Sequence, residues 1–149
     1  MDKKFLIAGV VASILLIFFG WLVHGVIMTS EYAKTLNLFR PEAEAMANLP
    51  IMLVAHVIMG FAFAWIYKQG VTSASWLGQG IRFGIAVALL VAVPWYLIYY
   101  SIQPFPMQTI AKQIIFDSIS LLLIAIAVAF VYRTPASAEA SGADAAHGG

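Results

Sequence analysis

Four long apolar runs, separated by short polar connections, constrain this chain more than any other feature of its sequence. A helix that crosses a bilayer needs about 20 apolar residues, within a range of roughly 17 to 25. Backbone groups in lipid must be hydrogen-bonded within their own segment, so each run is predicted to be a helix. The runs cover residues 5–28, 51–67, 83–102 and 107–132, and only the fourth contains charged residues, Lys112 and Asp117.

Composition agrees with a membrane protein of a single domain. The chain has 149 residues, of which 62% are hydrophobic and 10% charged, whereas soluble domains carry about 25% charged residues. We therefore predict an all-α integral membrane four-helix bundle at residues 1–133. The polar segment 134–149 has no aromatic residue and is predicted to be a disordered C-terminal tail. The expected helices cover about residues 5–28, 50–68, 82–102 and 107–132.

The Lys and Arg residues of the connections predict the orientation, because cytoplasmic loops carry an excess of both. With the N-terminus inside, five of the eight lie on the cytoplasmic side and three on the outer side. This favours a multi-pass protein of the bacterial inner membrane with both termini inside (N-in/C-in). The cytoplasmic set is Lys3, Lys4, Lys68, Arg82 and Arg133, and the outer set is Lys34, Arg40 and Lys112.

Several function classes are disfavoured by the residues that the chain lacks. With no cysteine, the chain offers no disulfide, iron–sulfur cluster or thiol nucleophile. No HExxH or GxSxG motif, acidic metal-binding cluster or phosphate-binding loop occurs, which favours a non-enzymatic role. A net charge of +1 gives no basic footprint for nucleic acid. The expected partner is the lipid bilayer, with a homo-oligomer or a larger membrane complex as a further possibility.

Polar side chains inside the predicted spans are the most informative residues, because such groups are costly in hydrocarbon and usually face protein or water. At 1.5 Å per residue, His24, His56 and Lys112 lie about 6 to 7.5 Å from the outer ends of their helices. Asp117 lies about 15 Å in, near the midplane. Together with two neighbours they form a predicted ligand-binding or structural polar cluster: His24, His56, Tyr96, Lys112, Gln113 and Asp117.

Each of these residues also has a structural interpretation. The two histidines serve as interhelical hydrogen-bonding groups, and Lys112 extends its ammonium toward the outer headgroups. Asp117 is a neutral hydrogen-bonding group, the partner of a buried cation, or a titrating group. The sequence alone leaves these alternatives open.

Three hypotheses for function follow. The first is an accessory or interaction subunit whose distinctive feature is the intramembrane polar cluster, without a cofactor. The second is a small channel, carrier or proton-linked component that uses Asp117. The third is a membrane protein that binds haem b, with His24 and His56 as axial ligands, since two histidines at equal depth on neighbouring helices suit that role.

Small residues at helical spacing predict where the helices approach each other. Lipid provides no hydrophobic drive for helix association, so close backbone approach matters more than in water. The simplest interpretation is packing within one bundle, and the alternative is that the stripe at residues 80–88 forms a homodimer face. The predicted packing positions are Gly20, Gly60, Gly80, Gly84 and Ala88.

Several short strings resemble those of an uncharacterised group of small bacterial four-helix inner-membrane proteins. They are GWLVHG at 20–25, RPE at 40–42, His56, QGIRFG at 79–84 and VPWYLIYY at 93–100 with Gln103–Pro104. The resemblance covers roughly residues 5–133. It implies the four-helix architecture and no activity, ligand or partner.

Overall fold

The computed structural model describes residues 2–133, and this part of the chain is helical with no strand. Four of its helices are long and apolar enough to cross a membrane. The tail predicted at residues 134–149 lies outside the described residues. In chain order the helices are α1 (Lys3–Ile27), α2 (Thr29–Tyr32), α3 (Glu42–Ala47), α4 (Leu49–Gln69), α5 (Trp76–Ile102) and α6 (Met107–Tyr132), with a 3₁₀ turn at Leu36–Leu38 between α2 and α3.

Local sequence explains most of the helix ends. The Asp2 side chain caps α1 by accepting hydrogen bonds from the backbone nitrogens of Lys4 and Phe5, at 3.0 and 3.3 Å. Pro50 lies in the first turn of α4, where its missing N–H costs nothing. A Pro-bounded turn at residues 103–106 joins α5 to α6 and forces them into a hairpin.

Helix α5 begins at Trp76, earlier than the expected start near residue 82. The Gln79 side chain accepts from the Thr72 nitrogen at 2.8 Å and donates to the Ala74 carbonyl at 2.5 Å. These bonds hold the preceding Ser-rich connection against the first turn. The Trp76 ring also packs edge-on against Phe130 of α6, with centroids 5.6 Å apart.

The four long helices run antiparallel to their neighbours, with α1 and α6 at the centre. Helix α4 packs on α1, α5 packs on α6, and α1 packs on α6. Both described ends of the chain and the connection 70–75 lie at one end of the bundle, here called the terminal end. The connections 28–48 and 103–106 lie at the other, here called the loop end.

Small residues bring the helices together in the terminal half. A Cβ atom on Gly60 of α4 would lie 2.5 Å from the Ser13 backbone nitrogen of α1. A Cβ atom on Gly84 of α5 would lie 2.8 Å from Leu122 Cα of α6, and Gly80 faces Ala129 in the same way. The stripe at residues 80–88 therefore lies inside the chain, with Ala88 buried, and a dimer would have to use another surface.

Two π-helical segments interrupt the long helices near the loop half. Trp21–Ile27 ends α1, and Ala88–Ala92 lies within α5 just before Pro94. Pro94 cannot donate the backbone hydrogen bond of a regular helix, and the wider π turn accommodates that loss. Such segments are rare and are often found at functional sites, and both lie beside the polar residues described next.

Candidate functional site

Asp117 of α6 is the centre of a polar cluster that joins three spanning helices. Its Oδ1 atom lies 3.3 Å from His24 Nε2 of α1, and its Oδ2 atom accepts a hydrogen bond from the Tyr96 hydroxyl of α5. The His24 and Asp117 side chains remain 35% and 22% accessible. The pair is therefore polar, interhelical and partly open rather than sealed in the core.

Tyr32 extends the cluster from the membrane-spanning helices to the connection at the loop end. Its hydroxyl lies 2.5 Å from His24 Nδ1 and accepts from Gln113 Nε2 at 3.0 Å. Burial raises the pKa of the Tyr32 phenol, which keeps it a neutral hydrogen-bond donor. Gln113 Oε1 is buried and has no partner among the described residues.

The contacts of this cluster connect Gln113 to Tyr96 through three other side chains. The Gln113 amide donates to the Tyr32 hydroxyl, which shares a hydrogen bond with His24 Nδ1. The other ring nitrogen of His24 faces one oxygen of the Asp117 carboxyl group, and the Tyr96 hydroxyl donates to the other oxygen. Among the described residues, Asp117 thus has a histidine and a tyrosine as partners and no lysine or arginine.

An ion pair between Glu31 and Lys112 joins the connection at the loop end to α6. The Glu31 carboxylate of α2 lies 2.5 Å from Lys112 Nζ and 3.2 Å from Lys34 Nζ. Its side chain is only 9% accessible. The Lys112 ammonium, and after it that of Lys34, holds the pKa of the Glu31 carboxyl below its usual value. Lys112 thus pairs within the chain, where the sequence suggested contact with lipid headgroups.

His56 of α4 lies apart from this hydrogen-bonded cluster. Its Nδ1 atom lies 2.7 Å from the Met52 carbonyl. Since a carbonyl only accepts, Nδ1 carries a proton, and in the neutral ring Nε2 then has a free lone pair. That Nε2 atom lies 3.3 Å from the position that a Cβ atom on Gly20 would occupy. His56 therefore presents an acceptor between α4 and α1.

All four spanning helices enclose a partly open cavity of about 820 Å³ in the loop half of the bundle. His24, Asp117 and Tyr96 form part of its wall, and His56 faces it from α4. The rest is mostly apolar and rich in aromatic rings, including Phe19, Trp95 and Tyr99. Ligand pockets have volumes of roughly 300 to 1,000 Å³ and this same mixture of apolar walls and few polar groups.

The predicted cluster thus divides into three parts. His24, Tyr96, Gln113 and Asp117 share one hydrogen-bonded network, whereas Lys112 binds Glu31 and His56 faces the cavity alone. Sequence reasoning missed Glu31 and Tyr32 as members of the site. The presence of Lys112 within a predicted span was a signal for an acidic partner, because a lysine removed from water needs a carboxylate. The connection at the loop end contains three glutamates, and their spacing does not show which one pairs with Lys112: Glu31, Glu42 and Glu44.

Among residues 2–133, no group of three or more His, Asp or Glu side chains is arranged to hold a metal ion. Comparison with protein-family models, curated proteins and solved structures finds no match. The resemblance to small bacterial four-helix proteins therefore stays a prediction, and the function is argued from the residues themselves.

Proposed function

We propose that this chain is an accessory component of a membrane that holds a small lipophilic molecule in the cavity of its loop half. The observation that carries the proposal is the placement of the His24–Asp117–Tyr96 cluster at the wall of an otherwise apolar cavity. Polar groups in a bilayer are costly unless they are used for structure or ligand binding. Here they join three helices and still leave accessible surface toward the cavity.

The proposal includes an orientation. Both termini lie on the cytoplasmic side of a bacterial inner membrane, which puts the cavity in the outer leaflet and α2 and α3 at the outer surface. The distribution of Lys and Arg supports this orientation. Activity of a cytoplasmic reporter fused to the C-terminus, and of a periplasmic reporter inserted in the connection 33–41, would support it. The opposite pattern would overturn it.

Binding of small aromatic probes tests the function itself. The purified protein in detergent, dialysed against tetraphenylphosphonium and against neutral triphenylphosphine oxide, should bind about one molecule of at least one probe per chain. The variant Gly20→Phe should abolish this binding, because the Gly20 position faces the cavity and His56. Ile14→Phe is the matched control on the lipid-facing side of α1, where Ile14 is 59% exposed. Absence of binding for both probes would overturn the proposal.

A proton-linked carrier is a second candidate, and it is favoured by the reversibility of the hydrogen-bond chain. If His24 gains a proton on Nδ1, Tyr32 can accept that bond and, after the Gln113 amide flips, donate to the Gln113 oxygen, which has no partner among the described residues. The added proton is then held within the same set of side chains. Proton uptake by the protein in vesicles, lost in Asp117→Asn, would support a carrier. Unchanged proton movement in that variant would contradict it.

Haem b binding remains an alternative from the sequence. His56 Nε2 offers the free lone pair that an axial ligand needs, whereas both ring nitrogens of His24 already have partners, Tyr32 and Asp117. Coordination by His24 would therefore require the loss of one of these bonds. The absorption spectrum of protein purified from haem-replete cells decides: a Soret band that disappears in His56→Ala would support haem binding, and a colourless protein would exclude it.

A further inference from the structure

We infer that the ligand of the cavity is a lipophilic cation: an ammonium or comparable positive centre attached to an apolar, ring-containing body. This inference rests on the proposed function, and it names the chemical class that the cavity selects. It follows from the partners of the Asp117 carboxyl group, from the position of His56 and from the aromatic side chains of the wall.

The acidic group of the cavity wall is the first step. Asp117 contacts His24 and Tyr96 and, among the described residues, pairs with no lysine or arginine. It is ten residues from the start of α6, about 15 Å deep in a spanning helix. Acidic side chains at that depth are costly and usually serve a partner or a ligand. A cationic ligand would supply the permanent positive charge that the side chains around Asp117 lack, whereas an anion would be repelled.

The other polar groups of the wall point to the same ligand class. The neutral His56 ring, with its Nδ1 proton on the Met52 carbonyl, presents Nε2 as an acceptor for an N–H group. Among the described residues, Arg40 is the one Lys or Arg side chain that lines the cavity, and it contacts Glu44 in an exposed pair at 3.4 Å rather than Asp117. Lys112, the cation nearest to Asp117 in sequence, is bound to Glu31 instead. The carboxylate of the cavity is therefore left without a lysine or arginine partner.

Aromatic rings supply the remaining selectivity. Phe19, Trp95, Tyr96 and Tyr99 line the cavity. The faces of such rings attract a cation, and the attraction is strongest where water is excluded. The same rings accommodate an apolar body without a conformational change. A carboxylate among aromatic rings thus favours a lipophilic cation over a fatty acid or an anionic headgroup.

The test compares two phenyl-substituted phosphorus compounds, one cationic and one neutral. Tetraphenylphosphonium should bind the purified wild-type protein at least tenfold more tightly than neutral triphenylphosphine oxide, as measured by equilibrium dialysis against protein-free micelles. Asp117→Asn should weaken binding of the cation at least tenfold and leave binding of the neutral probe within about twofold. Asp117→Glu keeps the charge and should keep most of the affinity for the cation.

The outcomes separate this inference from the proposed function. Equal binding of both probes, or cation binding that Asp117→Asn leaves unchanged, would overturn the cation assignment while the ligand-binding function stands. If the wild-type protein binds neither probe, both the cation assignment and the proposed ligand-binding function are overturned. If Asp117→Asn does not fold, Tyr96→Phe gives the answer: it removes one donor from the carboxylate, so cation binding should be kept or strengthened, and a tenfold loss would overturn the inference.

Discussion

The two halves of the bundle are built from the same helices in different ways. In the terminal half, glycine and alanine bring backbones into contact, and the core is apolar, as at Ala12, Ala64 and Ala125. In the loop half, large aromatic and polar side chains keep the helices apart and enclose a cavity of about 820 Å³. Close packing in the terminal half therefore holds the helices in position around an open, polar site in the loop half.

The two halves of the bundle are stabilised by different interactions. Helices in lipid associate through close van der Waals contact and interhelical hydrogen bonds. The terminal half is held together by close van der Waals contact, and the loop half by interhelical hydrogen bonds and ion pairs. A variant that breaks close packing should therefore lower stability more than one that removes a polar partner, and the predictions below are ordered in that way.

The largest expected effect is in the terminal half. Gly60→Ala places a Cβ atom 2.5 Å from the backbone nitrogen of Ser13, so α1 and α4 must move apart. Overpacking costs typically 1 to 3 kcal/mol, and we expect about 3 kcal/mol here because the blocking atom belongs to the backbone. Thermal unfolding in detergent measures it. Gly78→Ala is the control, since a Cβ atom there meets nothing within 4 Å; equal stability of the two variants would contradict the packing model.

The second effect concerns Asp117 in the loop half. Asp117→Asn replaces one of the two carboxyl oxygens that face His24 and Tyr96 with an amide nitrogen, and should cost about 1 to 2 kcal/mol because the site is partly open. Asp117→Leu removes both acceptors and should cost more. Thermal unfolding measures both, with Glu42→Gln as the control at an exposed position of α3. Wild-type stability in the Asn and Leu variants would show that the carboxylate has no structural role.

A smaller effect should follow from Tyr32→Phe, which shows how far the polar network extends into the connection. The phenylalanine keeps the ring and loses the hydroxyl that joins His24 to Gln113, at a cost of about 1 kcal/mol. Tyr100→Phe is the matched control, because that side chain is exposed. If the two variants unfold at the same temperature, the cluster ends at His24.

The same comparison explains how much the sequence could predict. The four spans, the Pro-bounded hairpin and the all-helical architecture follow from apolar run length and from proline chemistry, which are local properties. The start of α5 at Trp76 was missed, because a side-chain bond from Gln79 to the connection extends the helix beyond its apolar run. The length of an apolar run does not reveal such a side-chain bond, although its partners lie only five to seven residues apart.

Within the site, depth alone groups His24, His56 and Lys112, about 6 to 7.5 Å from the outer ends of their helices, with Asp117 deeper at about 15 Å. Depth does not fix the rotation of each helix about its axis, and rotation decides which side chains of different helices touch. The sequence therefore does not show that His24 reaches Asp117 while His56 does not. Glu31 and Tyr32 were missed because the fold of the connection brings them inward.

The smallest effect is expected where α2 is fastened to α6. Glu31→Gln removes the charge that binds Lys112 and Lys34, so the connection should open more often while the spanning helices stay folded. Hydrogen exchange measured by mass spectrometry over residues 29–40 should become faster. Glu44→Gln is the control, because the Arg40–Glu44 pair is exposed at 69% and 59% and such pairs contribute little.

The pH dependence of that exchange separates the ion pair from general loosening of the connection. The Glu31 pKa is lowered by the Lys112 and Lys34 ammonium groups from a usual value of 4.5. A carboxyl pKa that is lowered in the folded form stabilises that form at pH values above the usual pKa of the group. The stabilisation is lost as the pH falls through the lowered pKa. After correction for intrinsic exchange, wild-type protection should therefore decline below pH 4.5. Glu31→Gln should show no such step, and a step of equal size in that variant would assign the pH response to another group.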